Sequence, residues 1–265
     1  SFSLMLAGAI LYSASRGSGN PLWSRSLAAV TMVGTILTIS SAGVFDGGVA
    51  ADFLGIEEAS FEPTRNEIIA GSFFLAMSLI PVIALSANVM ATMRGDDVFM
   101  ENPDHPGMPE INLAAIALVP ISIGALLVHT DHLTGTGEFS GIQWTLAMMG
   151  VWLVFVPGAL GSALCIFPEI SGRNVLSMNR SRWAYWLMAG GAFGLIFSMM
   201  SDFSQASLNQ ADAIVEISIV DRLSVLGSVL FYGTVIGSIY HCLNLISGSF
   251  RGDLVDEDQV NSSTS

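Results

Sequence analysis

The chain has 265 residues, of which 52% are hydrophobic and 12% are charged, and its formal net charge is -13. This balance is too apolar for an ordinary soluble domain and indicates a polytopic membrane protein, while the acidic excess argues against nucleic acid as a partner. The nine basic residues are all arginines, which excludes any mechanism that needs a lysine Schiff base.

Seven apolar stretches predict membrane helices, because a bilayer core of about 30 Å needs roughly 20 apolar residues in a helix. The first, residues 1–14, is short of a span and lacks the basic start of a signal peptide, so the chain either lacks residues upstream or opens inside a helix. The other six are residues 27–45, 68–93, 111–128, 142–167, 183–200 and 217–246. We therefore predict an all-α, polytopic transmembrane helical bundle of about seven helices over residues 1–252, followed by a disordered acidic tail over 253–265.

Proline, glycine and polar residues mark the turns between these helices, and no internal repeat is evident. Polar segments predict a turn at residues 15–21, an acidic loop at 46–67, and polar loops at 94–109 and 201–216. Pro81 is expected to kink the third span, and Pro120 to break the fourth. Between the fifth and sixth spans, Pro168 and Gly172 predict a hinge that ends one helix before the next begins.

The arginines segregate between alternate loops of this layout. One side of the membrane receives seven of them, namely Arg16, Arg25, Arg94, Arg173, Arg180, Arg182 and Arg251, and the other side receives Arg65 and Arg222. The positive-inside rule places the first set, and with it the C-terminal tail, on the cytoplasmic or matrix side. The expected location is a bacterial or archaeal plasma membrane or the mitochondrial inner membrane.

Four histidines, at positions 105, 129, 132 and 241, are the first candidates for chemistry. His129 and His132 share a helical face and, with Asp131, could bind a metal, whereas hydrogen bonds to headgroups or loop carbonyls would also explain them. His241 lies inside the seventh span, where an ionisable residue is a functional candidate. The alternative is a hydrogen bond from His241 to a serine or threonine of a neighbouring helix.

Sulfur-containing and aromatic residues have simpler explanations than a cofactor. A thioether can ligate heme or copper, but core packing is the commoner use of the methionines near helix centres, which are Met77, Met90, Met148, Met149, Met199 and Met200. Cys165 and Cys242 are predicted to be core residues because they lack the spacing of a metal or disulfide pair. An interfacial belt accounts for the aromatic residues near span ends, which are Trp144, Trp152, Trp183, Tyr185 and Trp186.

Several fragments occur in an order and spacing that suggest a family. They are Leu4 to Gly8 with the following turn to Pro21, Pro63-Thr64-Arg65, Ile80-Pro81, Met93-Arg94-Gly95, Leu133-Thr134-Gly135, Phe167-Pro168 with Ser171-Gly172-Arg173, Trp186, and Leu223 to Ser228. The chain thereby resembles the catalytic subunit I of the heme-copper oxidases, represented by cytochrome c oxidase, from that family's sixth helix to its twelfth. The resemblance implies the helical bundle predicted above.

The metal ligands that the resemblance implies are missing. The adjacent copper-ligating histidines of the family fall near Ala42 and Gly43, and the two heme-ligating histidines of its tenth helix fall near Leu146 and Met148. The lysine of the family's proton path falls near Leu85. We therefore assign no catalytic, cofactor-binding or metal-binding residue to this chain, and we expect heme and copper only in a partner subunit.

The resemblance favours a subunit I-like membrane protein without catalytic activity of its own, with a structural or assembly role in a respiratory oxidase complex. Other membrane subunits of that complex and the lipid bilayer are its expected partners. One alternative is the C-terminal part of a split, active oxidase subunit I that reduces oxygen, and a second is an unrelated transporter with its site at Pro81 and Pro120. Glycine pairs four residues apart, Gly190 with Gly194 and Gly233 with Gly237, permit close helix approach either to a partner subunit or within the chain.

Overall fold

The computed structural model describes residues 2–39, 65–94, 106–134, 142–211 and 217–255. The helices among these residues are α1 (Phe2–Ser18), α2 (Arg25–Gly34), α3 (Arg65–Thr92), α4 (Met108–Thr134), α5 (Ile142–Met149), α6 (Val156–Ser171), α7 (Met178–Ala211) and α8 (Ile217–Arg251). A π-helical stretch, Thr35–Ile39, continues α2, and a second, Gly150–Phe155, joins α5 to α6.

Within the described residues, five helical stretches are long and apolar enough to cross a membrane. They are Ile69–Thr92, Met108–Val128, Thr145–Ser171, Met178–Met200 and Ser224–Arg251. The apolar helix Arg25–Thr38 is shorter, and α1 has 17 residues. The prediction of an all-α membrane bundle is therefore confirmed, and the chain is an integral membrane protein. Residues 40–64, which include the predicted second half of the second span and most of the acidic loop, lie outside the described part.

Three helix ends differ from the prediction because hydropathy locates the membrane and not the end of the hydrogen-bonded helix. α1 runs through the predicted turn to Ser18, where the Ser18 hydroxyl bonds Ala14 O at 2.6 Å, and it ends at Gly19 with φ 66°. α7 continues 11 residues past Met200, since no proline or glycine interrupts residues 201–211. α4 begins at Met108, within the predicted polar loop at 94–109, so Glu110 lies inside the first turn of the helix.

The prolines inside the spans do not end them. α3 runs through Pro81 and α4 runs through Pro120, so the predicted break in the fourth span is wrong. α6 likewise contains Pro168 and ends at Gly172, whose φ of 64° is left-handed and whose N–H bonds Pro168 O at 3.0 Å. A π-helical stretch precedes Pro157, because this ring removes an N–H donor and crowds the preceding turn.

Helices α7 and α8 form an antiparallel pair whose backbones approach closely through glycine. A Cβ on Gly194 would lie 2.5 Å from Gly227 O, and one on Gly237 would lie 2.5 Å from Ala184 O. Gly191 faces the backbone of Thr234 in the same interface, whereas a Cβ on Gly190 would meet nothing within 4 Å. Gly191, Gly194, Gly233 and Gly237 therefore pack within the chain, which is one of the two alternatives predicted for these glycines, whereas Gly190 faces open space.

The structure reveals a repeated contact that the sequence did not show. The Asn88 side chain in α3 accepts from Ser24 N and donates to Ser24 O, both at 3.0 Å, just before α2 begins. The Asn244 side chain in α8 makes the same two bonds to Ser177, at 3.1 and 3.0 Å, just before α7 begins. Each asparagine thus fixes the start of the antiparallel helix beside it.

The arginine-rich ends of the helices meet at one end of the bundle. Asn20 Nδ2 donates to Thr92 O at 3.1 Å and joins the end of α1 to that of α3. Arg173 Nη1 donates to Gly252 O at 2.8 Å, and residues 253–255 bond back to residues 172–174. The first three residues of the predicted disordered tail are therefore ordered, and residues 256–265 lie outside the described part.

Candidate functional site

A carboxylate and an imidazole lie side by side inside the membrane bundle. Glu110 of α4 and His241 of α8 are both 0% exposed, and Glu110 Oε1 lies 2.9 Å from His241 Nε2. That separation is a hydrogen-bond length, but the imidazole is not oriented for a linear hydrogen bond to the carboxylate. We therefore call the contact an acid–base pair. Ionisable side chains are expensive at this depth and mark functional positions in membrane proteins.

Glycine places Glu110 at the centre of the bundle. Gly107 precedes α4 with φ 81°, and a Cβ added to it would overlap the backbone of Gly161 in α6. A Cβ on Gly161 would in turn lie 2.9 Å from Glu110 Cβ. The first turn of α4 is thus pressed against α6, and its residues Met108, Glu110 and Ile111 are all 0% exposed.

His241 belongs to a buried polar stripe along α8. The stripe consists of Thr234, Ser238, His241 and Asn244, at spacings that keep them on one helical face. Thr234 Oγ1 donates to Met188 O of α7 at 3.1 Å, and Asn244 Nδ2 donates to the Ser181 hydroxyl at 2.8 Å. Most of the stripe therefore bonds to α7, whereas His241 contacts α4.

Other buried polar groups lie in the same region between α1 and α6. The Cys165 thiol of α6 lies 3.6 Å from Ser13 O of α1, and a Cβ on Gly17 would lie 3.4 Å from the Cys165 sulfur. The hydroxyls of Ser13 and Ser162 are fully buried without a hydrogen-bond partner among the described residues. Ser162 directly follows Gly161, which contacts Glu110. Ser162 is thus one residue from the glycine against which Glu110 packs, and Ser13 lies on α1 beside Cys165, three residues further along α6.

The predicted partner of His241 was of the wrong kind. The sequence favoured a serine or threonine, and the structure supplies the carboxylate of Glu110, which lies between the predicted loop at 94–109 and the predicted span at 111–128. The Pro109-Glu110 dipeptide carried a helix-start signal, since proline suits the first turn of a helix and an acidic residue is favourable there. Periodicity alone began the helix at Ile111 and missed it.

The histidine pair at the other end of α4 is not described at side-chain level. His129, Asp131 and His132 lie in the last turns of α4, and their side-chain positions are outside the described part, as is all of His105. No group of three side chains that could hold a metal ion occurs among the residues that the structure describes. The predicted metal cluster therefore stays a prediction.

The sulfur-containing residues divide between core and surface. Met149 and Cys165 are buried as predicted, but Met77, Met90 and Met200 are 39%, 48% and 51% exposed, and Cys242 is exposed as well. The prediction of core packing is thus wrong for Met77, Met90, Met200 and Cys242. These side chains face outward because they lie on the side of their helices that points away from the bundle. The lipid surface accommodates apolar sulfur as readily as the core does.

Aromatic side chains near the arginine-rich end of α7 fit an interfacial belt. Trp183 and Trp186 are 63% and 56% exposed, whereas Tyr185 between them is buried. Trp152 packs edge-on against Phe231 with ring centroids 5.6 Å apart, inside the bundle and not at its boundary. Trp183 and Trp186 are therefore exposed as a belt requires, Tyr185 and Trp152 pack against other residues, and the belt itself stays a prediction.

Three positions that the predicted resemblance matched to heme ligands or to the proton-path lysine hold apolar side chains. Leu85 and Leu146 are 7% and 8% exposed and pack in the bundle, and Met148 is half-buried. Ala42 and Gly43 lie outside the described part. A comparison of the chain with protein-family models matches no family, and a comparison with curated proteins finds no relative.

Proposed function

We propose that the chain is a membrane subunit, similar in helix layout to subunit I of the heme-copper oxidases, with a structural or assembly role in a respiratory oxidase complex. The observation that carries this proposal is the packing at the ligand positions. Leu146 Cδ1 lies 2.9 Å from where a Cβ on Gly124 of α4 would stand, so an aliphatic side chain fills the space beside that helix.

The position matched to the family's proton-path lysine supports the same proposal. Leu85 of α3 is buried in the cluster that also contains Ile10 of α1 and Val89. Aliphatic side chains cannot ligate heme iron or copper, which need imidazole, thiolate, thioether or similar donors. Apolar packing without ligands is the expected outcome where helix packing is selected and metal chemistry is not.

The proposed location follows from the arginine-rich end of the bundle. Arg16, Arg173 and Arg251 lie at the ends of α1, α6 and α8, on the side that the positive-inside rule assigns to the cytoplasm or matrix. We therefore infer a plasma membrane or mitochondrial inner membrane in which the C-terminal tail faces that compartment. Other membrane subunits of the complex and the lipid bilayer are the proposed partners.

The experiment that tests the proposal is purification of the tagged chain, alone and from its native membrane. Expressed alone, the chain is expected to show no Soret absorption band and no stoichiometric copper. From the native membrane, it is expected to co-purify with a heme-containing oxidase that consumes oxygen. Absence of any oxidase from the native preparation would contradict the proposed role.

One observation favours the alternative of an active, split subunit I. Half-buried Met148, at a heme-ligand position, lines a cavity of about 360 Å³ between α5, α7 and α8, which is near the lower limit for small-molecule sites. The cavity's other lining residues are Thr145, Leu195, Ser198, Ser228, Phe231 and Tyr232. A Soret band that is present in the isolated chain and absent from the Met148→Leu variant would contradict the structural role and support the split, active subunit I.

The transporter alternative loses the feature on which it rested. It needed helices broken at Pro81 and Pro120, and both α3 and α4 are continuous at these residues. Ion or solute flux through reconstituted vesicles in the absence of an electron donor would restore it.

A further inference from the structure

Packing alone does not explain the acid–base pair of Glu110 and His241, because two apolar side chains could fill the same space. Replacement of a buried ion pair by apolar side chains of similar volume is often neutral or stabilising, so burial alone does not explain why these two residues are present. The resemblance to the oxidase subunit assigns a role to neither residue. Their chemistry points instead to a bound proton.

A pair of this kind holds one proton in an apolar environment. With one shared proton, either the carboxyl and the imidazole are both neutral or a carboxylate faces an imidazolium, and the net charge is zero in both cases. Loss of the proton leaves a carboxylate beside a neutral imidazole, which is a net negative charge in a low dielectric. The buried site therefore favours the form with one proton.

The site lies near the arginine-rich side of the membrane. Glu110 is in the first turn of α4, and His241 precedes the end of α8 by ten residues, which corresponds to a depth of about 15 Å. Ser162 follows Gly161, which packs against Glu110, and the buried hydroxyls of Ser162 and Ser13 have no hydrogen-bond partner among the described residues. Polar groups of this kind are ordinarily bridged by internal water, which also conducts protons.

The other charged residues on the helices that surround the pair lie near or beyond the ends of the membrane spans, and on α7 and α8 they are Arg180, Arg182, Asp202, Asp221, Arg222 and Arg251. Arg16 of α1 and Glu169 of α6 form an ion pair with each other at the bundle end, with 27% and 35% of their side chains exposed. The Cys165 thiol bonds to Ser13 O, and Tyr185 of α7 is buried. The remainder of the α4 span carries no titratable side chain, nor do residues 69–92 of α3.

We propose that Glu110 and His241 form a proton-binding site that exchanges its proton with the arginine-rich side of the membrane through the region of Ser13 and Ser162. Uptake forms an O–H or N–H bond to the proton delivered from water on that side, and release returns the proton to the same water. No other atom or electron is transferred. The proposal concerns only residues of this chain and goes beyond the structural role proposed above.

The test uses the full chain in lipid nanodiscs and leaves the pair intact. A variant with His105→Gln, His129→Gln and His132→Gln retains His241 as its one imidazole, and its ¹⁵N resonances report the protonation of that ring. In parallel, infrared difference spectra between acidic and alkaline buffer report a protonated carboxyl through its C=O band. We expect one of these two signals to change with the pH of the buffer, with a band shift in D₂O if the carboxyl carries the proton.

Controls assign the signal to the pair. Glu169→Gln removes a carboxylate from the exposed ion pair and should leave the signal unchanged, whereas Glu110→Gln should abolish the carboxyl band or shift the pH at which the His241 resonance changes. Ser162→Ala is expected to slow the exchange with D₂O. If neither the His241 resonance nor a carboxyl band responds to buffer pH, or if the response is the same with Glu110→Gln, the site does not exchange a proton and the proposal is overturned.

Discussion

Glu110 and His241 illustrate at the scale of single residues how burial changes the energetic weight of a charge. Both side chains are 0% exposed, whereas the Arg16–Glu169 pair at the end of the bundle keeps about a third of its surface in contact with solvent. A buried charge that loses its partner stays desolvated, but an exposed one is stabilised by water. The two pairs therefore form a matched comparison within one chain.

We expect Glu110→Ala to lower the free energy of unfolding by about 3–5 kcal/mol, because it leaves the imidazole without its acidic partner. The double substitution Glu110→Met with His241→Leu should recover most of this loss, since no uncompensated polar group then remains. Thermal or denaturant unfolding of the purified chain in detergent measures both. Glu169→Gln is the control and should change stability by less than about 1 kcal/mol. Equal losses for Glu110→Ala and Glu169→Gln would contradict the buried pair.

At the scale of elements, glycine and asparagine residues determine which faces of neighbouring helices contact each other. Gly190 and Gly191 are neighbours in α7, but only Gly191 faces α8, where the backbone of Thr234 occupies the position of an added side chain. The four-residue spacing of Gly190 and Gly194 in the sequence suggested one contact surface. In the helix, the contacting face is formed by Gly191 and Gly194 instead.

Gly191→Ala is expected to destabilise the chain by several kcal/mol, because its Cβ would overlap backbone atoms that cannot move aside without separating the two helices. Gly190→Ala has open space around it and should be neutral or stabilising by up to about 1 kcal/mol through helix propensity. Unfolding of both variants in the same detergent tests this difference. A Gly191→Ala protein that unfolds like wild type but fails to join a complex would show that the glycine serves a partner.

Asn244→Ala removes three hydrogen bonds, to Ser177 N, Ser177 O and the Ser181 hydroxyl, at the start of α7. Because the backbone N–H and C=O of Ser177 lose their hydrogen bonds, we expect the free energy of unfolding to fall by about 1–3 kcal/mol for each backbone group left unsatisfied. Asn88→Ala should have a similar but smaller effect on the start of α2.

The measurement for both asparagines is amide hydrogen exchange together with global unfolding. Faster exchange should be confined to the first turn of α7 for Asn244→Ala and of α2 for Asn88→Ala. Asn66→Ala, at an exposed position in the first turn of α3, is the control and should change stability by less than about 0.5 kcal/mol. Loss of protection elsewhere in the bundle would mean that the asparagines do not act as local caps.

The orientation of the whole molecule is tested by chemical labelling in sealed vesicles. In a chain with Cys165→Ala and Cys242→Ala, single cysteines at Asn179, Asp253 and Asn66 occupy exposed positions at helix ends. Because Asn174 N bonds to Asp253 O, the first two positions lie at the same end of the bundle. We expect Asn179→Cys and Asp253→Cys to react with an impermeant reagent from one side and Asn66→Cys from the other. Labelling of Asn66→Cys and Asp253→Cys from the same side would contradict the helix order.

The sequence alone determined that the protein is an all-helical membrane bundle, because runs of about 20 apolar residues admit hardly any other structure in lipid. It also predicted the spans in α3 to α8 and the common end of seven arginines, since both follow from residue type along the chain. Helix ends were less accurate, as at Ser18 and Ala211, because hydropathy changes at the membrane boundary while the hydrogen-bonded helix continues past it.

Only the tertiary structure decided which residues meet. Glu110 and His241 are separated by about half of the chain, and their contact depends on the glycine approach of Gly107 to Gly161, which a linear pattern of apolar residues does not encode. The same reason explains the Asn88 and Asn244 contacts and the inward direction of Gly191. Membrane insertion follows from local composition, whereas a buried acid–base pair exists only after separate helices have packed together.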